Sequence, residues 1–255
     1  MKLSIIIPVF NEKDTIKTIL ERIESVSFDN DINNLDNVIE KEIIIVDDCS
    51  TDGTRDILNE LKQYSLGQNS LNQSLSDQNN LIVVLQDNNQ GKGSAVRVGF
   101  QKASGDIILI QDADLEYDPQ EYPRLIEPIV RGDADVVYGS RFMGSEAKRV
   151  LFFWHYLGNK FLTTFSNLLT NINLTDMETC YKVFNKKALD SFKDRLTAKR
   201  FGIEPEITAQ VAKQKLRIYE VGIAYNGRTY EEGKKINWKD GLAAIWHIIK
   251  YNVFR

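Results

Sequence analysis

Short apolar runs rich in Ile and Val recur along the chain at residues 3–9, 43–46, 82–85, 107–110 and 136–138. Between them, residues 15–26, 55–64, 94–102 and 120–131 carry apolar side chains at helical spacing. Strand-length runs alternating with amphipathic helices predict an α/β fold, a mostly parallel sheet with helices on both faces. Sheets of that kind bind ligands in the crevice beyond the carboxyl ends of their strands. The residues that follow the runs, Phe10-Asn11-Glu12, Asp47-Asp48, Asp112-Ala113-Asp114 and Gly139-Ser140-Arg141, are therefore predicted to share one crevice.

The pattern changes after residue 150. Residues 150–171 have helical spacing and many aromatics, but His155, Asn159, Lys160 and Asn167 interrupt them. A membrane-crossing helix needs about 20 predominantly apolar residues, so this segment is not one. Two readings stay open for it: a core-facing helix, or a helix lying at a membrane interface or lining a lipid groove. Residues 238–255, with Trp246, Ile248, Ile249, Tyr251 and Phe254, form a second amphipathic segment with the same two readings. Residues 27–40 and 65–80 are rich in Asn, Ser, Gln and Asp, lack periodicity, and read as surface insertions.

Composition adds limits. With 255 residues and 42% hydrophobic content the chain can build a sizeable core without staples. Cys49 and Cys180 match no metal or redox spacing and read as ordinary thiols of a reducing compartment. The apolar start at residues 1–8 is too short for a signal peptide and reads as a buried first strand. The net charge of −4 hides an asymmetry, because residues 1–181 hold 16 Lys+Arg against 28 Asp+Glu while residues 182–255 hold 16 against 8. An acidic part suits a cation site, and a basic part suits phosphates or an anionic membrane surface.

The residues with the clearest chemistry are Asp112, Asp114 and Glu116, at i, i+2 and i+4 after the run at 107–110. If the segment stays extended, the three carboxylates emerge on one side and form a site for Mg²⁺ or Mn²⁺, which take hard oxygen ligands and keep positions for water or phosphates. The alternative is an acidic loop capping the helix suggested by Asp118-Pro119-Gln120-Glu121. Gly91-Lys92-Gly93 is neither a Walker loop nor a dinucleotide fingerprint; it lets backbone pass close to a ligand while Lys92 supplies positive charge. Arg141, at a strand end, is suited to charge-assisted hydrogen bonds with a diphosphate or an acceptor phosphate. Asp52-Gly53-Thr54 reads as a turn and helix cap. Glu204 and Glu206 suit either sugar hydroxyls or a helix cap.

Residues 4–12, 45–54, 89–93 and 111–114, continuing through 138–141, together resemble family 2 glycosyltransferases with the GT-A fold. The stretch Thr175-Asp176-Met177-Glu178-Thr179-Cys180-Tyr181-Lys182-Val183-Phe184 is similar to the Asp-x-x-Ser-Gly-Phe-Arg-x-Phe region of dolichyl-phosphate mannose synthases and other polyprenyl-phosphate glycosyltransferases, with Cys180, Tyr181 and Lys182 in place of Gly, Phe and Arg. The resemblance implies a single Rossmann-like GT-A domain over 1–255 with C-terminal amphipathic helices, residues 1–145 taking donor and metal and 146–255 the acceptor. It implies donor contacts from Pro8, Phe10, Asn11, Glu12, Asp47, Asp48, Lys92, Asp112 and Ala113. Asp112, Asp114 and Glu116 would bind Mg²⁺ or Mn²⁺, with Gln standing at the Glu116 position in the synthases. Asp114, Arg141 and Arg228 would serve the reaction, and Arg141, Thr179, Lys182, Arg228, Lys234 and Lys235 the acceptor phosphate.

The function expected on that basis is inverting transfer of a hexose from a nucleotide diphosphate sugar, of GDP-mannose or UDP-glucose type, to a polyprenyl or dolichyl phosphate. A phosphate acceptor is already anionic and needs no general base, which suits a chain without an obvious catalytic His. Two alternatives remain: transfer to a sugar hydroxyl with Asp176 or Glu178 as base, and a non-catalytic nucleotide-binding scaffold. The expected setting is cytoplasmic, soluble or peripheral on the cytoplasmic membrane face, with no nucleic-acid partner.

Overall fold

The computed structural model describes residues 1–28, 39–65, 80–144, 149–150, 152–229, 231–232 and 238–254. The two polar insertions at 27–40 and 65–80 fall almost wholly outside the described residues, as do Lys234 and Lys235.

Each predicted apolar run is a strand and each amphipathic segment between runs is a helix: β1 (Lys2–Val9), α1 (Ile16–Ser25), β2 (Glu40–Asp47), α2 (Thr54–Ser65), β3 (Leu81–Leu85), α3 (Lys92–Lys102), β4 (Ile107–Ile110), α4 (Tyr122–Val130) and β5 (Val136–Ser140). The chain continues through α5 (Phe153–Thr170), β6 (Lys182–Asn185), α6 (Lys186–Asp190), α7 (Ile203–Lys213), β7 (Ile218–Gly222) and α8 (Trp238–Val253). The sheet order is β3-β2-β1-β4-β6-β5-β7. β2–β3, β1–β2, β1–β4 and β5–β7 pair in parallel, whereas β6 runs antiparallel to both β4 and β5.

Burial follows the pattern that predicted it. In β1, Leu3, Ile5, Ile6 and Ile7 are fully buried, as expected of a central strand covered on both faces. α1 presents Ile16, Ile19, Leu20 and Ile23 to the sheet at helical spacing. α3 lies against β1 so closely that a Cβ on Gly99 would collide with Ile6. Strands β6 and β7 were not anticipated. Each is only four or five residues long, β6 opens with a lysine and β7 contains a glutamate, so neither shows an apolar run.

One carboxylate inside the sheet is fully partnered. Glu42 on β2 accepts hydrogen bonds from Ser4 Oγ, from Ser104 N at 2.9 Å and from Ser104 Oγ at 2.6 Å, and pairs with Lys2 Nζ at 2.8 Å. Burial alone would raise its pKa, but these donors outweigh that and bring it down to about 2. A group depressed in this way stabilises the folded chain at pH above its unfolded value near 4.5, and that stabilisation drains away as pH falls toward 2. Glu42→Gln is expected to cost roughly 1.5–3 kcal/mol at neutral pH, the range for hydrogen bonds to a charged group. Denaturant titrations should show the difference from wild type shrinking between pH about 5 and 2; a constant difference would exclude this linkage.

Candidate active site

The carboxyl ends of β1, β2 and β4 open on a cavity of about 480 Å³. Its lining includes Pro8, Phe10, Glu12, Asp48, Lys92, Asp112, Ala113, Asp114, Glu116, Arg141 and Arg228, so most residues predicted to share a crevice do so.

The acidic segment is shaped by a buried amide. Gln111 follows β4 and is fully buried; its Oε1 accepts from Tyr122 Oη and Tyr181 Oη, both at 2.7 Å, and its Nε2 donates to the Asp112 carbonyl at 2.9 Å. The chain then curls. Leu115 adopts a left-handed conformation with φ of 63°, and Glu116 N donates to Asp114 Oδ1 at 3.1 Å. The extended alternation expected for 112–116 is therefore replaced by a turn, because the chain has already left the sheet at Ile110 and has no strand partner to keep it straight.

That turn gives the three acids different partners. Asp112 meets Lys92 Nζ at 2.8 and 2.9 Å, and Asp114 meets Arg228 Nη2 at 3.0 Å. Glu116 shares that arginine, with Oε1 3.5 Å from Arg228 Nε, and also accepts from Tyr225 Oη on Oε2 at 2.6 Å and from the Arg228 backbone N–H on Oε1 at 2.8 Å. No group of three acidic, His or Cys side chains among the described residues is arranged to hold an ion. The donor set thus fits a cation held by two carboxylates, with water and phosphate oxygens completing the shell, which is the usual habit of Mg²⁺. Glu116, expected as a third ligand, instead ties the 225–228 segment to the site. Burial, with Asp112 and Glu116 nearby, pushes the Asp114 carboxyl up to about 7 despite Arg228.

The predicted donor residues divide into those that face the cavity and those that build its wall. Asp48 lines it and holds the glycine loop, accepting from Gln90 N and Gly91 N at 2.7 Å each. Asp47 is buried, accepts from Ser50 N at 3.2 Å and sits 3.6 Å from Arg55 Nε, so it braces the turn after β2. Asn11, with φ of 54°, joins the loops after β1 and β2 by accepting from Thr51 N at 2.8 Å and taking Ser50 Oγ on its own N–H at 2.9 Å. Gly91 lines the cavity, as expected of backbone passing close to a ligand, and both glycines of Gly91-Lys92-Gly93 also pack tightly on a neighbouring segment. A Cβ on Gly91 would stand 2.6 Å from the Lys199 carbonyl, and one on Gly93 would stand 2.7 Å from that of Ala198. They allow the loop to pack on residues 198–200, which aims Lys92 at Asp112.

On the other side, Arg141 is clamped by Asp176 through Nε to Oδ2 at 2.7 Å and Nη2 to Oδ1 at 2.8 Å, and lies over the Tyr225 ring at 5.2 Å. Asp176 is thereby committed to orienting Arg141. Two residues expected at the acceptor are placed under the floor instead. Thr179 is buried and its hydroxyl donates to the Gly139 carbonyl at 2.5 Å. Lys182 is fully buried, with its ammonium on Glu204, the Thr179 carbonyl and, at 3.1 Å, the Met177 carbonyl. A buried ammonium needs such a cage, and β6 places it where only this chain supplies one. Glu206 likewise builds the wall, accepting from Thr197 N at 2.9 Å and Ala198 N at 2.7 Å. Glu204, within 3.5 Å of Lys92, reaches the cavity. Tyr225 and Tyr117 carried no sequence signal, because isolated tyrosines fit any core.

The remaining wall comes from the two amphipathic helices. His155, Asn159 and Leu162 of α5 and Asp240, Gly241 and Ala244 of α8 line the cavity. α5 is divided: Leu162, Phe165 and Leu169 pack against the core and Thr163 and Ser166 are fully buried, while Phe153, Trp154, Leu157, Phe161 and Leu168 are exposed. Leu242, Trp246 and Phe254 are exposed on or just after α8, which packs against α5. No helix among the described residues is long and apolar enough to cross a membrane.

Comparison with known proteins agrees with this geometry. The chain is 29% identical over 248 residues to UDP-N-acetylglucosamine--dolichyl-phosphate N-acetylglucosaminyltransferase of Methanococcus voltae, covering 96% of this chain and 94% of that protein. It is 35% identical over 143 residues to dolichol-phosphate mannosyltransferase of Pyrococcus furiosus, covering 56% of this chain and 34% of that longer protein. Among solved structures, glucosyl-3-phosphoglycerate synthase from Mycobacterium tuberculosis in complex with Mn²⁺ and UDP-glucose superposes with a TM-score of 0.64 at 17% identity, over 98% of this chain and 79% of that one. That likeness speaks for the fold. The sequence model described as Glycosyl transferase family 2 matches residues 4–192, well over half of the chain. The chain belongs to glycosyltransferase family 2 and has its GT-A fold.

Proposed function

We propose that this glycosyltransferase moves a hexose, with inversion, from a nucleotide diphosphate sugar to a polyprenyl phosphate at the cytoplasmic membrane face. The observation that carries the reading is the composition of one cavity. Its floor holds Asp112 and Asp114, its sides hold Arg141 and Arg228, and one wall is the α5–α8 pair, which exposes several aromatic and aliphatic side chains. The relatives named above for dolichyl phosphate support the acceptor.

In this reading Pro8, Phe10, Glu12 and Asp48 receive the nucleoside, with Asp48 also fixing the loop that carries Lys92. Asp112 and Asp114 would hold Mg²⁺ or Mn²⁺, which when bound supplies Lewis-acid stabilisation of the leaving diphosphate. Arg228 stands beside Asp114 and can transfer its hydrogen bonds to a phosphate oxygen as charge develops there. Arg141, held rigid by Asp176, presents a guanidinium to the acceptor phosphate. That phosphate is already an anion at neutral pH and attacks without a base, so the site's task is positioning. The aromatic face of α5 and α8 would lie in the lipid interface and bring the cavity to the acceptor.

Four measurements test this. Incubation with radiolabelled GDP-mannose, UDP-glucose or UDP-N-acetylglucosamine, Mn²⁺ and undecaprenyl phosphate is expected to give a lipid-phosphate sugar; product only with hydroxyl acceptors would sink the proposal. Arg228→Ala is expected to lower kcat by about 10²–10³, the usual cost of one donor to a developing charge. Calorimetry with Mn²⁺ and free nucleotide should show metal-dependent binding lost in Asp114→Ala and kept in Glu116→Gln, since Glu116 anchors Tyr225 and Arg228. Flotation with anionic liposomes should recover the wild-type protein, and the pair Trp154→Ser with Trp246→Ser should reduce recovery severalfold.

A further inference from the structure

The other carboxylates that reach the cavity from the chain's acidic motifs have partners: Asp48 has two backbone N–H groups, Asp112 has Lys92, Asp114 has Arg228, Glu116 has Tyr225, and Glu204 has Lys182. Glu178 differs. It lines the cavity, yet its Oε1 is shut off from water with no hydrogen-bond partner among the described residues. The nearby cations are committed, Lys182 to Glu204 and two carbonyls and Arg141 to Asp176. Burial first, and Glu204 second, push the Glu178 carboxyl up to about 7. At neutral pH it can therefore both donate and accept a hydrogen bond. Rotation about its last side-chain bond turns either oxygen toward a ligand at little cost.

The strand order says which part of a ligand reaches it. Across the sheet run β2 and β1, followed by Asp48 and by Pro8 and Phe10; then β4, followed by Asp112 and Asp114; then β6, preceded by Glu178. Because β6 is antiparallel, residues before it lie at the same edge as residues after β4. A nucleotide diphosphate sugar laid along that edge has its nucleoside at β1 and β2, its diphosphate at β4 and its sugar at β6. We propose that Glu178 hydrogen-bonds a hydroxyl of the transferred sugar and thereby selects the donor. A carboxyl oxygen shut off from water and without a partner among the described residues gains one from the correct sugar, and a sugar without that hydroxyl leaves it unsatisfied. The inference rests on the donor reading above and is independent of the acceptor.

Calorimetry with Mn²⁺ separates the two. Wild type, Glu178→Gln and Glu178→Ala are each titrated with UDP-glucose, UDP-N-acetylglucosamine and GDP-mannose, and with free UDP and GDP. Wild type is expected to bind one nucleotide sugar about tenfold more tightly than its free nucleotide, with Glu178→Ala losing that increment and keeping its affinity for the nucleotide. Among monodeoxy analogues of the preferred sugar, one should bind wild type no better than it binds Glu178→Ala. An increment that survives in both variants, or an equal loss for free nucleotide and nucleotide sugar, overturns the assignment; Glu178→Leu, of similar size and without a hydrogen-bonding group, decides the matter if the alanine variant does not fold. Transfer to an acceptor other than polyprenyl phosphate would overturn the proposed function alone.

Discussion

The antiparallel placement of β6 between β4 and β5 is the constraint on which the site depends. A strand inserted in that sense pairs Leu109 with Val183 and Tyr138 with Lys182, so the segment leading into β6 arrives at the ligand-binding edge. A parallel strand there would bring that segment in at the opposite edge. Through this one inversion Asp176 reaches Arg141, Lys182 reaches Glu204 beneath the floor, and Glu178 reaches the cavity. Buried side chains on both faces of the sheet hold the register, since a slip of one residue would turn Val183 and Phe184 to the wrong faces.

The second organising fact is the interleaving of charge. Carboxylates concentrated beside one another in a partly buried cleft repel, and the protein answers by placing Lys92 on Asp112 and Arg228 among Asp114, Glu116 and Glu12. The same cations are suited to the oxygens of a diphosphate. Arg228 is held at its backbone by Glu116, so its side chain can leave Asp114 for a phosphate without the segment losing its anchor.

Much of the fold was legible in the chain before any coordinates. Five apolar runs and four amphipathic segments located the parallel part of the sheet, because a strand covered on both faces must be apolar throughout and a helix on its surface must be apolar on one side. β6 and β7 were hidden by their brevity and their charged residues, whose burial depends on partners such as Glu204 and Thr175 that lie far away in sequence. At the site, Asp112, Asp114, Asp48 and Arg141 were visible from their positions after apolar runs. Lys182 and Thr179 were misread, since a basic or hydroxyl side chain in a motif gives no sign of whether it faces solvent or the floor.

The amino-acid sequence by itself determined the parallel sheet and the edge at which the cavity opens, because these follow from local periodicity and from residues adjacent to strand ends, and its motifs resembled the family that comparison then showed. Only the tertiary structure decided which acid serves which cation, that Glu116 anchors a loop, that the glycines of 91–93 pack on residues 198–200, and that Glu178 Oε1 has no hydrogen-bond partner among the described residues. Those outcomes turn on contacts between residues scores of positions apart, made or missed by a few ångströms, and periodicity along a chain does not encode such distances.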